Sequence, residues 1–177
     1  MLLRERVRDA GVVGLGGAVF PSAVKLAGTP GTPIHTVLLN GAECEPYITC
    51  DDRLMRERVE EVLRGGQILL HVLGAQTCLV GVEDNKPEAI AALRAALVAL
   101  GDARFEIVPI PTLYPSGAEK QLIYILTGEK ISREMRVTER GFLGHNVATA
   151  AAIYRAVVFG EPVTRRVVTV PWSSVSR

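Results

Sequence analysis

The stretch that decides the fold is GVVGLGGAVFPSAVK, residues 11–25, where a cluster of glycines precedes an apolar segment and a lysine. The cluster consists of Gly14, Gly16 and Gly17. Glycine lets backbone N–H groups come close to a ligand, and successive N–H groups form an anion-binding concavity. Pro21 suits the first turn of a helix, and Lys25 would add a positive charge one turn later. The stretch predicts either a cradle for a phosphate group or simply a tight turn before a helix.

This loop matches neither of the common nucleotide-binding motifs. A dinucleotide fingerprint needs a third glycine, where this sequence has Val19, and an apolar strand directly before the loop, which is missing. A P-loop needs a Gly-Lys-Ser/Thr sequence, which does not follow. The loop alone therefore leaves both alternatives open.

The composition is that of a globular protein, since 48% of the 177 residues are apolar and 22% are charged. A net charge of +1 and an aromatic content of 5% argue against nucleic acid as a partner. No apolar run reaches the ~20 residues that a membrane span requires. The charges in MLLRERVRDAG argue against a signal peptide, so we expect a cytosolic setting.

The cysteines and histidines form no recognisable ligand pattern. They are Cys44, Cys50, Cys78, His35, His71 and His145. No CxxC pair is present, so we expect neither a disulfide framework nor an iron–sulfur cluster from these cysteines. The histidines share no ligand spacing, and no metal site is predicted.

Apolar periodicity predicts strands that alternate with helices. The predicted strands are Ile34–Leu39, Thr77–Val82, Phe105–Ile110 and Arg165–Val170. The predicted helices follow the glycine loop to Leu26, run from Asp51 to Leu73 with either a kink or close packing at Gly65-Gly66, and cover Pro87–Leu100, Glu119–Leu126 and His145 or Asn146 to Val158. The segment from Glu129 to Gly144 is predicted to be loop. This order indicates an α/β fold with a largely parallel sheet.

Two polar loops follow predicted strands, at 40–46 and 111–117, where ligands bind in open parallel sheets. Glu43 and Glu45 could accept hydrogen bonds from hydroxyl or ring N–H groups. They could equally be exposed loop acids. Asn146 could belong to a site, or it could only cap the last helix.

Five segments in a fixed order resemble the C subunit of the Rnf/Rsx electron-transport complex. They are GLGGAVFPSAVKL, LLNGAECEPYITCDDRLM, GVEDNKPEAI, YPSGAEKQLIYILTGEK and HNVATAAAIYRAV. The same domain is similar to the FMN-binding subunit of respiratory complex I and to corrinoid reductases. The resemblance covers nearly the whole chain. It implies a Rossmann-like three-layer α/β domain over residues 1–160, followed at 161–177 by the start of an incomplete β-rich segment of the ubiquitin-like, SLBB type.

The resemblance also implies non-covalent FMN, with NAD(H) as the substrate that stacks above it. The residues implied for FMN are Gly14, Gly16, Gly17, Lys25, Asn40, Glu43, Gly117, Glu119 and Asn146. Phe20 and Glu45 are implied for the dinucleotide. Because the flavin supplies the chemistry, no residue is assigned as a catalytic acid or base.

Three departures from the family pattern stand out. Val19 replaces a glycine and could narrow the approach to the flavin, whereas Ala42 and Ala118 replace acids of the complex I subunit. The chain also has no CxxCxxC tract, so iron–sulfur clusters are expected only in the missing C-terminal region. Because of Val19, a different kind of function remains an alternative, namely a docking module of the same fold that has lost its flavin.

The function implied is hydride exchange between NAD(H) and FMN in an NADH/ferredoxin oxidoreductase complex coupled to ion transport. The implied partners are the other Rnf/Rsx subunits and, indirectly, ferredoxin. The implied location is peripheral, on the cytoplasmic face of the bacterial inner membrane. A corrinoid reductase-type flavoprotein is the redox alternative.

Overall fold

Four parallel strands form the centre of the computed structural model, which describes residues 2–170. They are β1 (Thr36–Gly41), β2 (Thr77–Glu83), β3 (Phe105–Ile110) and β4 (Phe142–Asn146). The order across the sheet is β3-β2-β1-β4, and each neighbouring pair is parallel. The predicted α/β fold is therefore confirmed, and all four carboxyl ends lie at one edge of the sheet.

Seven helices surround this sheet in the described part of the chain. They are α1 (Leu2–Asp9), α2 (Ser22–Lys25), α3 (Cys50–Glu57), α4 (Val59–Leu73), α5 (Pro87–Leu100), α6 (Glu119–Thr127) and α7 (Val147–Phe159), with a 3-10 helix at Val137–Arg140. Among residues 2–170, no helix combines the length and the apolar character needed to cross a bilayer.

The two faces of the sheet are covered unequally. Val37 and Leu39 of β1 point into a large core that is shared with α4, α5 and α7. Leu38 points the other way, into a much smaller cluster with Ile123 of α6 and Phe142. This alternation follows from the two-residue period of a strand. The thinly covered face leaves room for a cleft beside α6.

β4 was not predicted. Residues 129–144 were predicted to be loop, which is wrong for residues 142–144 of β4 and for the 3-10 helix at Val137–Arg140. The strand is only five residues long, and Gly144 and His145 interrupt its apolar pattern. Its pairing with β1, which places Leu143 beside Val37, makes it a strand. The last helix consequently starts at Val147, with Asn146 as its cap.

The strand predicted at 165–170 does not form. These residues have no regular secondary structure and cross the outside of the domain. They contact the domain through single hydrogen bonds, such as the one from the Thr49 amide to the Thr169 hydroxyl, 2.9 Å, and through Val167, which packs against the large core. The alternating valines lack a neighbouring strand within the described residues. Residues 171–177 of the expected β-rich segment lie outside the part that the structure describes.

The long helix after β1 is divided at Arg58 and not at Gly65-Gly66. Both glycines lie inside α4 and are buried. A Cβ on Gly65 would lie 2.0 Å from the carbonyl oxygen of Ala150 in α7. Of the two alternatives for this pair, close packing is confirmed.

Candidate functional site

The glycine loop lies between α1 and α2 and closes on itself. The Gly14 amide donates to the Phe20 carbonyl over 2.8 Å, and the Val19 amide donates to the Gly14 carbonyl over 3.2 Å. The Leu15 amide donates to the buried Thr149 hydroxyl of α7, 2.9 Å away. The loop is therefore fixed both by its own backbone and by the first turns of α7.

Three consecutive amides at the tip of this loop have no acceptor. Among residues 2–170, the N–H groups of Gly16, Gly17 and Ala18 donate to no protein atom. Gly17 has a φ of +106°, a conformation that glycine adopts without strain. Adjacent unpaired N–H groups are suited to an anion. The Gly14 amide, by contrast, already donates a hydrogen bond to the Phe20 carbonyl within the loop.

A narrow cleft of about 220 Å³ lies on the thinly covered face of the sheet, between the glycine loop and α6. Its floor includes Leu38 and Gly144. The predicted site residues that line it are Gly14, Gly16, Phe20, Lys25, Asn40, Glu119 and Asn146.

A wider cleft of about 420 Å³ adjoins the first at Gly16, Asn40 and Asn146. The predicted site residues that line it are Gly16, Gly17, Asn40, Glu43, Glu45, Gly117 and Asn146. Every residue predicted for FMN or for the dinucleotide therefore lines one cleft or the other. We call the two clefts together the crevice.

Lys25 and Glu119 form an ion pair across the narrow cleft. The Lys25 ammonium lies 2.8 Å from a Glu119 carboxylate oxygen. Gly144 makes room for this arrangement, because a Cβ there would lie 3.0 Å from the same oxygen. A lysine and a carboxylate thus meet where the unpaired amides also lie.

Asn40 connects the end of β1 to the loop before α6. Its side-chain amide donates to the Gly117 carbonyl over 2.8 Å, and its side-chain oxygen accepts from the Ala42 amide over 3.0 Å. A Cβ on Gly117 would lie 3.1 Å from the Ala42 carbonyl oxygen. These contacts hold the two polar loops together, although β2 lies between the strands that the loops follow.

Asn146 is both a helix cap and a wall of the crevice. Its side-chain oxygen accepts from the Ala148 amide over 2.8 Å, so the capping alternative is confirmed. Its side-chain amide donates to an Asp51 carboxylate oxygen over 2.6 Å. A Cβ on Gly16 would lie 3.1 Å from the Asn146 Cβ, so the glycine loop sits directly against this side chain.

Asp51 is a buried acid that the sequence analysis considered only as a helix cap. Burial, and secondarily the nearby charge of Glu43, raises the pKa of Asp51 to about 6, against an opposing hydrogen bond from Asn146. Asp51 lines the wide cleft. Its position soon after the first polar loop in the sequence is the feature that could have indicated a role at this site.

Glu43 has a structural role that the sequence did not predict. One carboxylate oxygen accepts from the Asp51 amide at 2.8 Å, and the other accepts from the Asp52 amide at 3.1 Å. Glu43 thereby stabilises the N-terminus of α3, where a negative charge is favourable. Its carboxylate lies close to the Cys50 thiol and Asp51 as a possible metal-ligand group, but its oxygens are already engaged by backbone amides.

The residues expected at the dinucleotide are accessible. Phe20 has 51% of its surface exposed at the narrow cleft, and Glu45 is exposed at the wide one. Val19 has a φ of +54°, which a β-branched residue rarely adopts and which explains why glycine is usual here. Its side chain is 62% exposed and lines neither cleft, so the expected narrowing of the flavin approach is not observed.

His145 also lines the narrow cleft, although no role was predicted for it. Burial, and then the charge of Lys25, lowers the pKa of His145 to about 3, so its imidazole is neutral near pH 7. Thr149, which holds the Leu15 amide, was likewise missed. It lies one turn after Asn146 on the same side of α7, a spacing that could have indicated it.

An open parallel sheet whose polar strand ends, unpaired loop amides and lysine converge on one crevice defines an α/β domain of the nucleotide-binding class. Residues 7–155 match the model of the Nuo51 FMN-binding domain, and the chain belongs to this family. The resemblance indicated by the sequence motifs is thereby confirmed.

Two kinds of relative support this assignment. The C subunit of the ion-translocating oxidoreductase complex of Pseudomonas aeruginosa is 51% identical over 177 residues, which make up 100% of this chain and 22% of the relative. Crystal structures of an NAD+-reducing NiFe-hydrogenase superimpose with TM-scores of 0.73 (air-oxidised) and 0.69 (H2-reduced), at 27% and 26% identity. Each alignment covers 88% of this chain and 30% of the hydrogenase chain.

Proposed function

We propose that this chain binds FMN non-covalently in the crevice and exchanges hydride between NAD(H) and FMN, within a subunit that passes electrons to iron–sulfur carriers. The observation that carries the proposal is the convergence of the unpaired amides of 16–18, Lys25 and Asn146 on one crevice. Membership of an FMN-binding family supports the choice of cofactor.

The crevice fits a flavin nucleotide in its donors and in its size. Lys25 and the unpaired amides would hold the phosphate, and Asn40, Gly117 and Asn146 would line the remainder of the cofactor. The wide cleft, at about 420 Å³, falls in the usual range for small-molecule sites of roughly 300–1,000 Å³. Gly16 and Gly144 keep the crevice open, since a Cβ at either would meet a site side chain.

FMN bound in the crevice would supply both the two-electron chemistry with NAD(H) and the one-electron chemistry with iron–sulfur carriers. The chain's own residues bind and orient. Glu119 keeps Lys25 extended over the narrow cleft. Asp51 fixes Asn146 against the glycine loop, and the neutral imidazole of His145 adds no second positive charge beside Lys25.

The wider assembly belongs to the same proposal. The chain spans 22% of the length of the Pseudomonas relative, so ferredoxin as redox partner, ion transport and a peripheral position on the cytoplasmic face of the inner membrane are proposals about a larger protein. The 51% identity to a subunit of an ion-translocating complex favours the Rnf type over the corrinoid reductase type.

The proposal is tested by reconstituting the purified chain with FMN. We expect a protein-bound flavin spectrum that bleaches anaerobically on addition of NADH. If the chain binds no FMN even in excess, the proposal fails. Restoration of binding by Val19→Gly in that case would support the flavin-free docking module.

The assignment of Lys25 has its own test. Lys25→Ala should weaken FMN about tenfold or more and riboflavin much less, because only FMN carries a phosphate and charge-assisted hydrogen bonds are strong. Lys130→Ala, at a lysine that stacks on Tyr124 outside both clefts, is the control. Equal weakening of both flavins would place Lys25 away from the phosphate.

A further inference from the structure

The strongest feature without an assigned role is the segment 161–170, which we call the strap. It leaves the end of α7 and crosses the glycine loop side of the domain. The Val163 amide donates to the Ala10 carbonyl over 2.9 Å, and the Thr169 hydroxyl accepts from the Thr49 amide over 2.9 Å. The strap is therefore held on both sides of the point where it passes the crevice.

Arg166 lies between these two anchors. Its guanidinium donates to the Leu15 carbonyl over 3.1 Å, next to the unpaired amides of 16–18. Among residues 2–170 it makes no other side-chain hydrogen bond and has no carboxylate within ion-pair distance. A guanidinium has five N–H donors, so most of its donors remain available.

The wide cleft has an unusual distribution of charge. Its ionisable acids are Glu43, Glu45 and Asp51, whereas Arg166 is the one lysine or arginine among the described residues that line it. The positive charge of Arg166 also acts on Asp51, where it lowers the pKa against the effect of burial. An anionic ligand in this cleft would therefore find its positive charge only on the strap.

We propose that Arg166 binds the diphosphate of NAD(H) at the wide cleft. This inference rests on the proposed function, in which Lys25 serves the phosphate of FMN and leaves the diphosphate of the second nucleotide without a cation. The planar fork of a guanidinium matches phosphate oxygens in pairs. Arg166 is then a binding residue on a segment that lies beyond the family match at 7–155.

The experiment measures NAD+ binding to the FMN-loaded chain by isothermal titration, because NAD+ with oxidised flavin gives no turnover. Arg166→Ala should weaken NAD+ about tenfold and leave nicotinamide riboside, which has no phosphate, unchanged. Arg166→Lys should restore part of the affinity, since it keeps the charge and loses the fork. The salt dependence of NAD+ binding should also decrease in Arg166→Ala.

Arg165→Ala is the matched control. Arg165 is also exposed and lies on the strap, but it lines the cavity beneath the strap and not the wide cleft. Its variant should bind NAD+ as the wild type does. A structural role of Arg166 would weaken NAD+ and nicotinamide riboside alike, would lower the FMN content, and would overturn the inference.

The outcomes separate the inference from the proposed function. Wild-type chain that binds FMN and NAD+ with Arg166→Ala unaffected overturns only the role of Arg166. Wild-type chain that binds neither nucleotide overturns both. If Arg165→Ala and Arg166→Ala weakened NAD+ binding equally, the effect would come from the general positive charge of the strap. That result would overturn a specific contact between Arg166 and the diphosphate.

Discussion

The glycine pairs Gly65-Gly66 in α4 and Gly16-Gly17 in the glycine loop have opposite roles. One residue of each pair contacts α7 or its cap residue. Gly65 packs against the Ala150 carbonyl in the first turn of α7, and Gly16 packs against Asn146, the cap residue of that helix. The first pair is buried and lets two helices approach. The second pair is accessible and leaves backbone amides unpaired. The same dipeptide therefore serves close packing in one place and leaves an open loop with unpaired amides in the other.

Gly65→Ala is expected to have the largest effect on stability. The added Cβ would lie 2.0 Å from a backbone oxygen, which cannot rotate away, so α4 and α7 would have to separate. We expect a loss of at least about 3 kcal/mol in the free energy of unfolding, measured by urea denaturation.

Gly66→Ala is the matched comparison for that variant. Its Cβ would lie 2.8 Å from the Phe105 ring, a side chain that can adjust, so the loss should be smaller. Similar losses for the two variants would mean that contact with the α7 backbone does not limit the approach of the helices.

Asp51→Asn tests the contact at the start of α7 through its pH dependence. The pKa of Asp51 is about 6 in the folded protein and near 3.8 otherwise, so folding takes up a proton between these values. Stability from this group is then present below about pH 4 and is lost as pH rises to about 6. In the Asp51→Asn variant, the side-chain oxygen at position 51 can still accept the hydrogen bond from the Asn146 amide, but the side chain carries no charge.

Relative to the wild type, Asp51→Asn should therefore gain stability as the pH rises from 4 to 7, by on the order of 1–3 kcal/mol. Urea unfolding at a series of pH values measures this difference. Asp52→Asn, at an adjacent acid that pairs with Arg56, is the control. A pH-independent difference would show that Asp51 does not titrate in this range.

Gly16→Ala should separate ligand binding from stability. Its Cβ would lie 3.1 Å from the Asn146 Cβ, so the loop must shift by a few tenths of an ångström while the fold persists. We expect FMN affinity to fall about tenfold, or ~1.4 kcal/mol, by fluorescence titration. Gly31→Ala is the control. Gly31 has a φ of +80°, so alanine should strain the backbone there and lower stability, but Gly31 lines neither cleft and FMN affinity should not change. Loss of FMN in both variants would contradict this separation.

Val19→Gly should have the smallest effect. It relieves a left-handed conformation that costs about 1–2 kcal/mol, but the added freedom of glycine offsets about 0.5–1 kcal/mol of that gain. A net stabilisation of roughly 0–1.5 kcal/mol is expected in thermal unfolding, with FMN affinity unchanged because the side chain lines neither cleft. A large increase in FMN affinity would show that valine does obstruct the crevice.

The sequence was sufficient for most elements because their apolar periods are long. It failed for β4, where five residues with Gly144 and His145 become a strand only through pairing with β1. It also failed at 165–170, where a valine-rich pattern typical of strands finds no partner strand among the described residues. Both errors concern pairing between distant segments, which local pattern does not encode.

For the site, the motifs predicted which residues gather but not what each one contacts. Glu43 lines the wide cleft, and its carboxylate also accepts hydrogen bonds from amides at the start of α3, which only the fold brings to it. Thr149 and Arg166 were missed, since their partner Leu15 is far away in sequence. The resemblance therefore located the crevice, and the structure was needed to assign the hydrogen bonds.

The ion pair between Lys25 and Glu119 has a consequence for how the narrow cleft is filled. A carboxylate already neutralises the lysine, so an incoming phosphate has to compete with it. One ion pair is exchanged for another, so the loss of the Glu119 contact offsets part of the electrostatic gain from the phosphate. Neutral molecules of similar shape leave the original pair in place. A phosphate would thus bind in the cleft by replacing Glu119 as the partner of Lys25. This exchange would permit selectivity for a phosphate together with reversible binding of the ligand.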